Sequence, residues 1–404
     1  LELFTMARPT NTNRRVFYAT QAVAVGDMGA TGVVDSWQPS DGGTDFVGDG
    51  KLMIAHGLQS IGVTTNFNLE QIFELGQLSL YENYEEVPEI EVTFEKVLDG
   101  YSLVYHLGTV DATAPTLTGR GNARADVRMA VGLDTNDYMA VGVNSGVAEL
   151  YCSGMYISSV SYTLGTDGNF TESTTFVGND KQWITTSDAG GVLTSDANGA
   201  LIAALSTGVF GGDAPVGVGN SVLRRQNLVI GSAGKSYGGT TFATEVPNIL
   251  EGGSTGSLTN SKYIIAGSGP YIQSVSISCD LGRENIQQLG KRAPYYRYVS
   301  FPVDVTCDIE VTATAGDNVD AAEEGGATGK NLSDHSIQIV LDDSTVFQLG
   351  KKNKLTSVSY GGGDAGGGNA TITYSFTNSN DFVVLHSGDP MTLASASYWK
   401  NWFA

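Results

Sequence analysis

The stretch Gln59–Pro88, QSIGVTTNFNLEQIFELGQLSLYENYEEVP, occurs twice. Moved 214 positions on without a gap, it lies over Gln273–Pro302, QSVSISCDLGRENIQQLGKRAPYYRYVSFP. The identities are Gln59/Gln273, Ser60/Ser274, Glu70/Glu284, Leu75/Leu289, Gly76/Gly290, Tyr81/Tyr295, Tyr84/Tyr298 and Pro88/Pro302. Ordinary composition gives roughly two matches over such a span. Conservative pairs such as Ile61/Val275, Val63/Ile277 and Ile72/Ile286 fill the gaps. A repeat of this length constrains the chain to a tandem domain rather than a short solenoid unit. The 404 residues suffice for more than one core. With 52 Gly, 10 Pro and 16% charged residues, the composition suits short strands and turns, hence a mainly β fold.

The repeat divides the chain into an N-terminal extension (1–50), a first domain (51–185), a Gly/Ser-rich connector or insertion (186–260), a second domain (261–386) and an aromatic tail (387–404). Leu58–Phe67 is predicted as a strand. Asn68–Val87 reads as a long extended loop, because Gly76 interrupts it and its apolar spacing is poor; loops of this length are usually functional. After Pro88 the alternation is clear. Ile90, Val92 and Phe94 take one face, and Glu89, Glu91, Thr93 and Glu95 the other. The second copy repeats this, with Val303, Val305, Cys307, Ile309 and Val311 opposite Asp304, Thr306, Asp308 and Glu310. One face packs on a core and the other meets water. Asp99–Leu107 is a helix candidate with Asp99 as N-cap. Arg124–Val143 and His335–Gly350 read as hairpins. Both halves then reach Ser-Val-Ser-Tyr, at Ser159–Tyr162 and Ser357–Tyr360, followed by closing strands at Asn169–Val177 and Asn369–Phe376.

The formal charge of −21, from 22 basic and 43 acidic residues, argues against a surface that grips nucleic acid or anionic lipid. It is compatible with a surface that stays near DNA without adhering. Cys152, Cys279 and Cys307 form no metal spacing or disulfide framework, which fits a reducing compartment during synthesis. The first twenty residues have no apolar core of a secretory signal, and Met6 is a candidate start. Apolar runs such as Ala200–Leu205 are too short to span a bilayer.

Signatures of chemistry are weak. Gly231–Ser236, GSAGKS, mimics the end of a phosphate-binding loop, but Val229 stands where that motif needs Gly. His56, His106, His335 and His386 make no metal spacing, and Asp41, Asp45 and Asp49 fit a Gly/Asp turn better than a calcium loop. The strand carboxylates follow the two-residue period of a solvated sheet face, not an acid/base pair. No enzyme activity, cofactor or metal is expected.

The phrase NFNLEQIFELGQLSLYENYEEVPEIEVTFEKVLDGYSLVYHL, with its weaker echo LGKRAPYYRYVSFPVDVTCDIEV, resembles the tail tube proteins of tailed bacteriophages. The likeness covers residues 50–185 and 260–386, not the N-terminal fifty residues, the connector or SYWKNWFA at the C-terminus. It implies two tandem β-sandwich or partial-barrel domains, each with a short helix, whose inner sheets join those of neighbours into a large ring barrel. Three such chains would make a pseudo-hexameric ring, and rings would stack into a virion tail tube for DNA passage, assembled in the host cytoplasm. Implied partners are further copies of the chain, the tape measure, terminator and baseplate proteins, a sheath in a contractile tail, and genomic DNA passing without specific binding. No membrane binding is implied.

Glu89, Glu91, Glu95, Asp304, Asp308 and Glu310 are candidates for an acidic channel lining, although the outside of the tube is nearly as well supported by sequence alone. The two long loops, Asn68–Val87 and Asp280–Phe301, are candidate inter-ring contacts of opposite sign: Glu70, Glu74, Glu82, Glu85 and Glu86 in the first, Arg283, Lys291, Arg292 and Arg297 in the second. Trp399, Trp402 and Phe403 are candidate anchors into a neighbouring subunit. Competing readings are a distal tail or baseplate hub ring of the same fold, a secreted β-rich binding module, and a hydrolase on a β-sandwich.

Overall fold

The computed structural model describes residues 21–30, 33–34, 52–131, 148–185, 222–232, 234–237, 240–250, 254–255, 261–317, 319, 334–363, 368–386 and 389. Trp399, Trp402 and Phe403, and the acidic triplet at 41–49, lie outside them. The fold is mainly β, as the composition and alternation predict.

Eight strands form one long antiparallel row. The first copy supplies β1 (Leu58–Asn66), β2 (Glu89–Val97), β3 (Ala148–Gly165) and β4 (Thr171–Gly178). The second supplies β5 (Ile272–Asp280), β6 (Asp304–Thr312), β7 (Lys354–Gly361) and β8 (Thr371–Ser379). Their order across the row is β1-β2-β4-β3-β5-β6-β8-β7, so the same four-strand pattern appears twice in succession. The bulges repeat too. The register shifts at Leu58/Ser60 in β1 and Ile272/Ser274 in β5, and opposite Phe176 in β3 and Phe376 in β7. Ser60 faces Glu95 and Ser274 faces Glu310, so the offset between copies is 214 in the first strand but one residue longer in the second. The ungapped overlay therefore ends before Pro88: one extra residue lies between the second copy's first two strands.

Behind this row each copy has a second layer. In the first copy Leu52–Ile54, Gln21–Asp27 and Ala125–Val131 lead to the early part of β3, with Asp180–Thr185 on its other side. In the second, Ser261–Tyr263, Glu245–Pro247, Gln338–Val340, Val346–Gln348 and Val383–Leu385 occupy the same order. Gln21–Asp27 and Glu245–Pro247 are thus matched layer strands, although the repeat alone puts them in the extension and the connector. β3 crosses from one layer to the other, and Gly154 at its middle takes φ +62°, where a side chain would be strained. The facing sides of the layers fill one continuous core that runs through both copies, including Val25, Val127, Phe94 and Phe176 from the first and Ile309, Ile339, Phe347 and Phe376 from the second.

The predicted helix shrinks to α1 (Val104–Leu107), followed by α2 (Leu117–Arg120). Asp99 is not its cap. It accepts from the buried Lys96 Nζ at 2.7 Å, and Gly57 must be glycine beside it because a Cβ there would collide with that carboxylate. The start of α1 is instead held by Glu172 of β4, which accepts from the backbone N–H of Val104 (2.8 Å) and Tyr105 (3.0 Å) and from the Tyr162 hydroxyl (3.0 Å). Burial holds the Glu172 pKa above its ordinary value against the pull of those two N–H groups. Both helices pack under the second copy: His106 Nε2 lies 3.1 Å from the Val384 carbonyl, and Arg120 Nη2 donates to Asp389 at 2.6 Å.

Removing Glu172 leaves two N–H groups and a hydroxyl buried without an acceptor. Glu172→Ala is expected to cost roughly 3 kcal/mol or more in urea denaturation. A pH effect follows from His106. Burial pushes its pKa from 6.5 down to about 3, opposed by Asp389 and aided by Arg120. The folded value lies below the unfolded one, so the contribution is fully present above about pH 6.5 and is lost as pH falls towards 3. His106→Gln, which can still donate to Val384, should flatten that decline relative to the unmodified chain.

Candidate functional site

The outward face of the long row is made by strand alternation. On β2, Ile90, Val92 and Phe94 are buried while Glu89, Glu91, Thr93 and Glu95 turn outwards; on β6, Val305, Cys307 and Ile309 are buried while Asp304, Thr306, Asp308 and Glu310 turn outwards. All six candidate lining carboxylates therefore share one face. The ladder separates the acidic strands with hydroxyls. Glu95 lies between Ser60 and Ser173, Asp308 between Ser276 and Ser375, and Glu310 between Ser274 and Thr373. Two of these contacts are repeat-equivalent hydrogen bonds, Ser60 Oγ to Glu95 at 3.3 Å and Ser274 Oγ to Glu310 at 3.0 Å. Glu95, Asp308 and Glu310 therefore face hydroxyls rather than other acids, which avoids the cost of like charges in register. Asp280 joins the same face, next to Asp304 across β5 and β6. The sequence reading puts Asp280 at the start of the second long loop, but the alternation Ser274, Ser276, Ser278, Asp280 carries the signal. Basic groups sit at the margins: Arg297 Nη1 pairs with Glu89 at 2.8 Å, and Lys354 pairs with Asp334 at 2.6 Å.

The two long segments are hairpins, not loops. Leu69–Phe73 pairs with Leu80–Glu85, and Arg283–Ile286 with Tyr296–Val299. Tyr and Ile on these strands favour a ladder over loop structure, and Gly76 and Gly290 sit in the turns at φ +93° and +83°. Glu70, Glu74, Glu82, Glu85 and Glu86 are exposed, together with a wholly exposed apolar tip at Leu75 and Leu78. The second tip exposes Leu289 in the same way.

The four basic residues of the second hairpin do not act alike. Arg283 lies over the Tyr156 ring at 5.0 Å and donates to the carbonyls of Ile157 (2.8 Å) and Gly121. Burial lowers its pKa to about 10. Arg297 is 4% exposed and holds Glu89 and Asn179. These two bind the hairpin to the first copy and are not free for a neighbour. Arg292 donates to the carbonyls of Glu85 and Glu86, so the hairpins touch within one chain. Lys291 and Arg292 remain exposed.

Elsewhere the structure gathers what sequence spacing keeps apart. His106 and His386 approach to 6.2 Å between ring centroids, within a buried set containing Arg120, Asp389 and Asp343. No local pattern links residues so distant in the chain. Lys235 of the GSAGKS segment ion-pairs with Asp342 at 2.7 Å. All three cysteines are buried, and burial pushes the Cys152 and Cys279 thiols up to about 12. Among the described residues no cluster of His, Cys, Asp and Glu could hold a metal, and no helix is long and apolar enough to cross a membrane.

The two ends of the row differ sharply from its middle. Where the copies meet, β3 pairs with β5 from Ser159/Asp280 to Gly165/Ser274, and Tyr162 lies opposite Ile277. Tyr162 is fully buried there against Phe347 and Phe382 of the second copy, at 4.6 and 6.3 Å. At the outer ends, among the described residues, β1 pairs only with β2, and β7 only with β8. Tyr360 of β7, the repeat-equivalent of Tyr162, is 55% exposed.

No protein-family model and no curated protein matches this chain. A solved structure described as the cryo-EM structure of the anti-feeding prophage (AFP) baseplate, 6-fold symmetrised, aligns with 45% of this chain and 98% of that chain, at 10% identity and a TM-score of 0.27.

Removal of a buried, multiply bonded guanidinium strands the groups it holds. Arg297→Ala should lower stability by roughly 2–4 kcal/mol. Lys291→Glu and Arg292→Glu should each stay within about 0.5 kcal/mol. Thermal unfolding of the three variants separates anchoring residues from exposed ones.

Proposed function

We propose that this chain is a structural virion protein whose copies, three to a ring, join edge to edge and stack into a phage tail tube through which DNA passes. The observation that carries the reading is the joint between β3 and β5. Within one chain it fuses two equivalent four-strand units. Among the described residues it also leaves one unpaired edge of each kind at the ends of the row, β1 and β7. Edges of this type are an aggregation hazard unless something pairs them, and closure into a ring pairs them all. Three such rows would supply about twenty-four strands; barrels of 16–18 strands already leave an aqueous channel.

The face of hydroxyls and carboxylates is the one we assign to the channel. Duplex DNA carries one negative charge per roughly 1.7 Å of axis, and basic walls would hold it. Glu89, Glu91, Glu95, Asp304, Asp308 and Glu310, set among Ser and Thr, repel it weakly and let it slide. The sequence resemblance to tail tube proteins supports the same reading, as does the net charge of −21. The exposed hairpin tips, with Leu75, Leu78 and Leu289, are suited to contacts between successive rings, and Trp399, Trp402 and Phe403 to contacts with a neighbouring subunit. The remaining tail proteins are the expected partners at the tube ends.

Electron microscopy of the purified chain tests this directly. Stacked rings with three copies each and a central channel are expected, with Glu95 and Asp308 facing the channel. Isolated rings that never stack would favour a distal tail or baseplate hub. A persistent monomer would overturn the proposal, and density placing those carboxylates outside would reject the lining.

A further inference from the structure

Resting on the ring reading, we infer the residue register of the joint between chains: β7 of one copy pairs antiparallel with β1 of a second copy, with Tyr360 opposite Val63, Ser359 opposite Thr64 and Gly361 opposite Gly62.

The argument is a translation of the joint already present. β1 and β5 are equivalent residue by residue, because each bulges at the same place and sets its serine, Ser60 or Ser274, against a glutamate of the next strand. β3 and β7 are equivalent because each bulges opposite a phenylalanine, and Tyr162 and Tyr360 take the same place in the ladder, against Glu172 and Ile372. The internal register then transfers without adjustment. Tyr162 opposite Ile277 becomes Tyr360 opposite Val63, and Ser161 opposite Ser278 becomes Ser359 opposite Thr64.

The chemistry of the two free edges agrees with that register. A slip of one residue would turn the apolar side of one strand to the polar face of the other. In the inferred register Tyr360 meets Val63 on the core side, and hydroxyls meet hydroxyls on the polar side. Exposure marks the edges as unfinished. Tyr360 is 55% exposed where Tyr162 is buried, and Val63 is half-buried where Ile277 is 1% exposed. The occupant is therefore a second copy of this chain, since the partner that fits β7 is a strand with the pattern of β5, and β1 has it.

Cysteine pairs in the full chain test the register, joined by a short bis-thiol-reactive linker. Ser359→Cys with Thr64→Cys should give covalent trimers on a denaturing gel at least tenfold faster than two slipped pairs, Ser359→Cys with Asn66→Cys and Ser357→Cys with Thr64→Cys. The buried native cysteines supply a low background, checked in the unmodified chain. Rings by microscopy with a slipped pair linking fastest, or with no pair linking, would overturn the register and leave the ring reading standing. Absence of rings in the unmodified chain would overturn both. As a second arm, Tyr360→Asp should abolish rings with an unchanged melting temperature, because the side chain is exposed in the single chain. Rings that persist in that variant would overturn the edge contact.

Discussion

The backbone ladder between β3 and β5 is the interaction on which the rest of this structure depends. It turns two copies of a domain into one sheet with a single polar face and one continuous core. Tyr162 shows how closely the copies are bound. Its ring is covered by Phe347 and Phe382, and its hydroxyl is satisfied by Glu172, which also holds the start of α1. α1 and α2 in turn reach the second copy through His106, Arg120 and Asp389. Strand pairing, aromatic packing and a buried ionic contact thus fasten the same seam at three depths. Each would be costly to leave half-made, since buried polar groups without partners are strongly destabilising.

The repeat is faithful in the row and divergent at its ends. β2 and β6 keep the same alternation and the same serine–glutamate contact, because the face and the core both require it. The hairpins share their turn glycines and exposed leucines but not their charge. Arg283 and Arg297 explain part of that change: they anchor the second hairpin beside the first copy, a neighbour that the first hairpin does not have within the chain. Within one chain the copies meet through different edges, β3 of the first and β5 of the second, so the two copies have different surroundings and carry different residues.

Much of the row could be read from the sequence. Ile90-Glu91-Val92-Thr93-Phe94 and its counterpart carry period-two alternation strong enough to assign faces, and Ser-Val-Ser-Tyr identifies matched strands. The hairpins are harder to read, because both faces of the first are exposed and the buried face of the second carries Arg297 beside Val299, so no apolar alternation distinguishes a ladder from a loop. Gln21–Asp27 and Glu245–Pro247 were missed as paired layers because they are short and share little wording. The helix start was misassigned because its cap comes from Glu172, a residue 68 positions away from Val104, and no local rule reaches so far. The single-residue insertion between copies was hidden by Pro88 and Pro302, which match in sequence but not in the ladder.

The Tyr162–Ile277 pairing also bears on synthesis. The first copy is complete, apart from its seam, on the order of a hundred residues before β5 leaves the ribosome. At translation rates of about 5–20 residues per second, that interval is on the order of ten seconds. Throughout it, the nascent chain carries a strand edge whose complement is β5 of its own second half, and equally β5 of any neighbouring nascent chain. Crowded polysomes therefore favour exchange of halves between chains, and correct folding depends on the local concentration of a chain's own tail exceeding that of its neighbours.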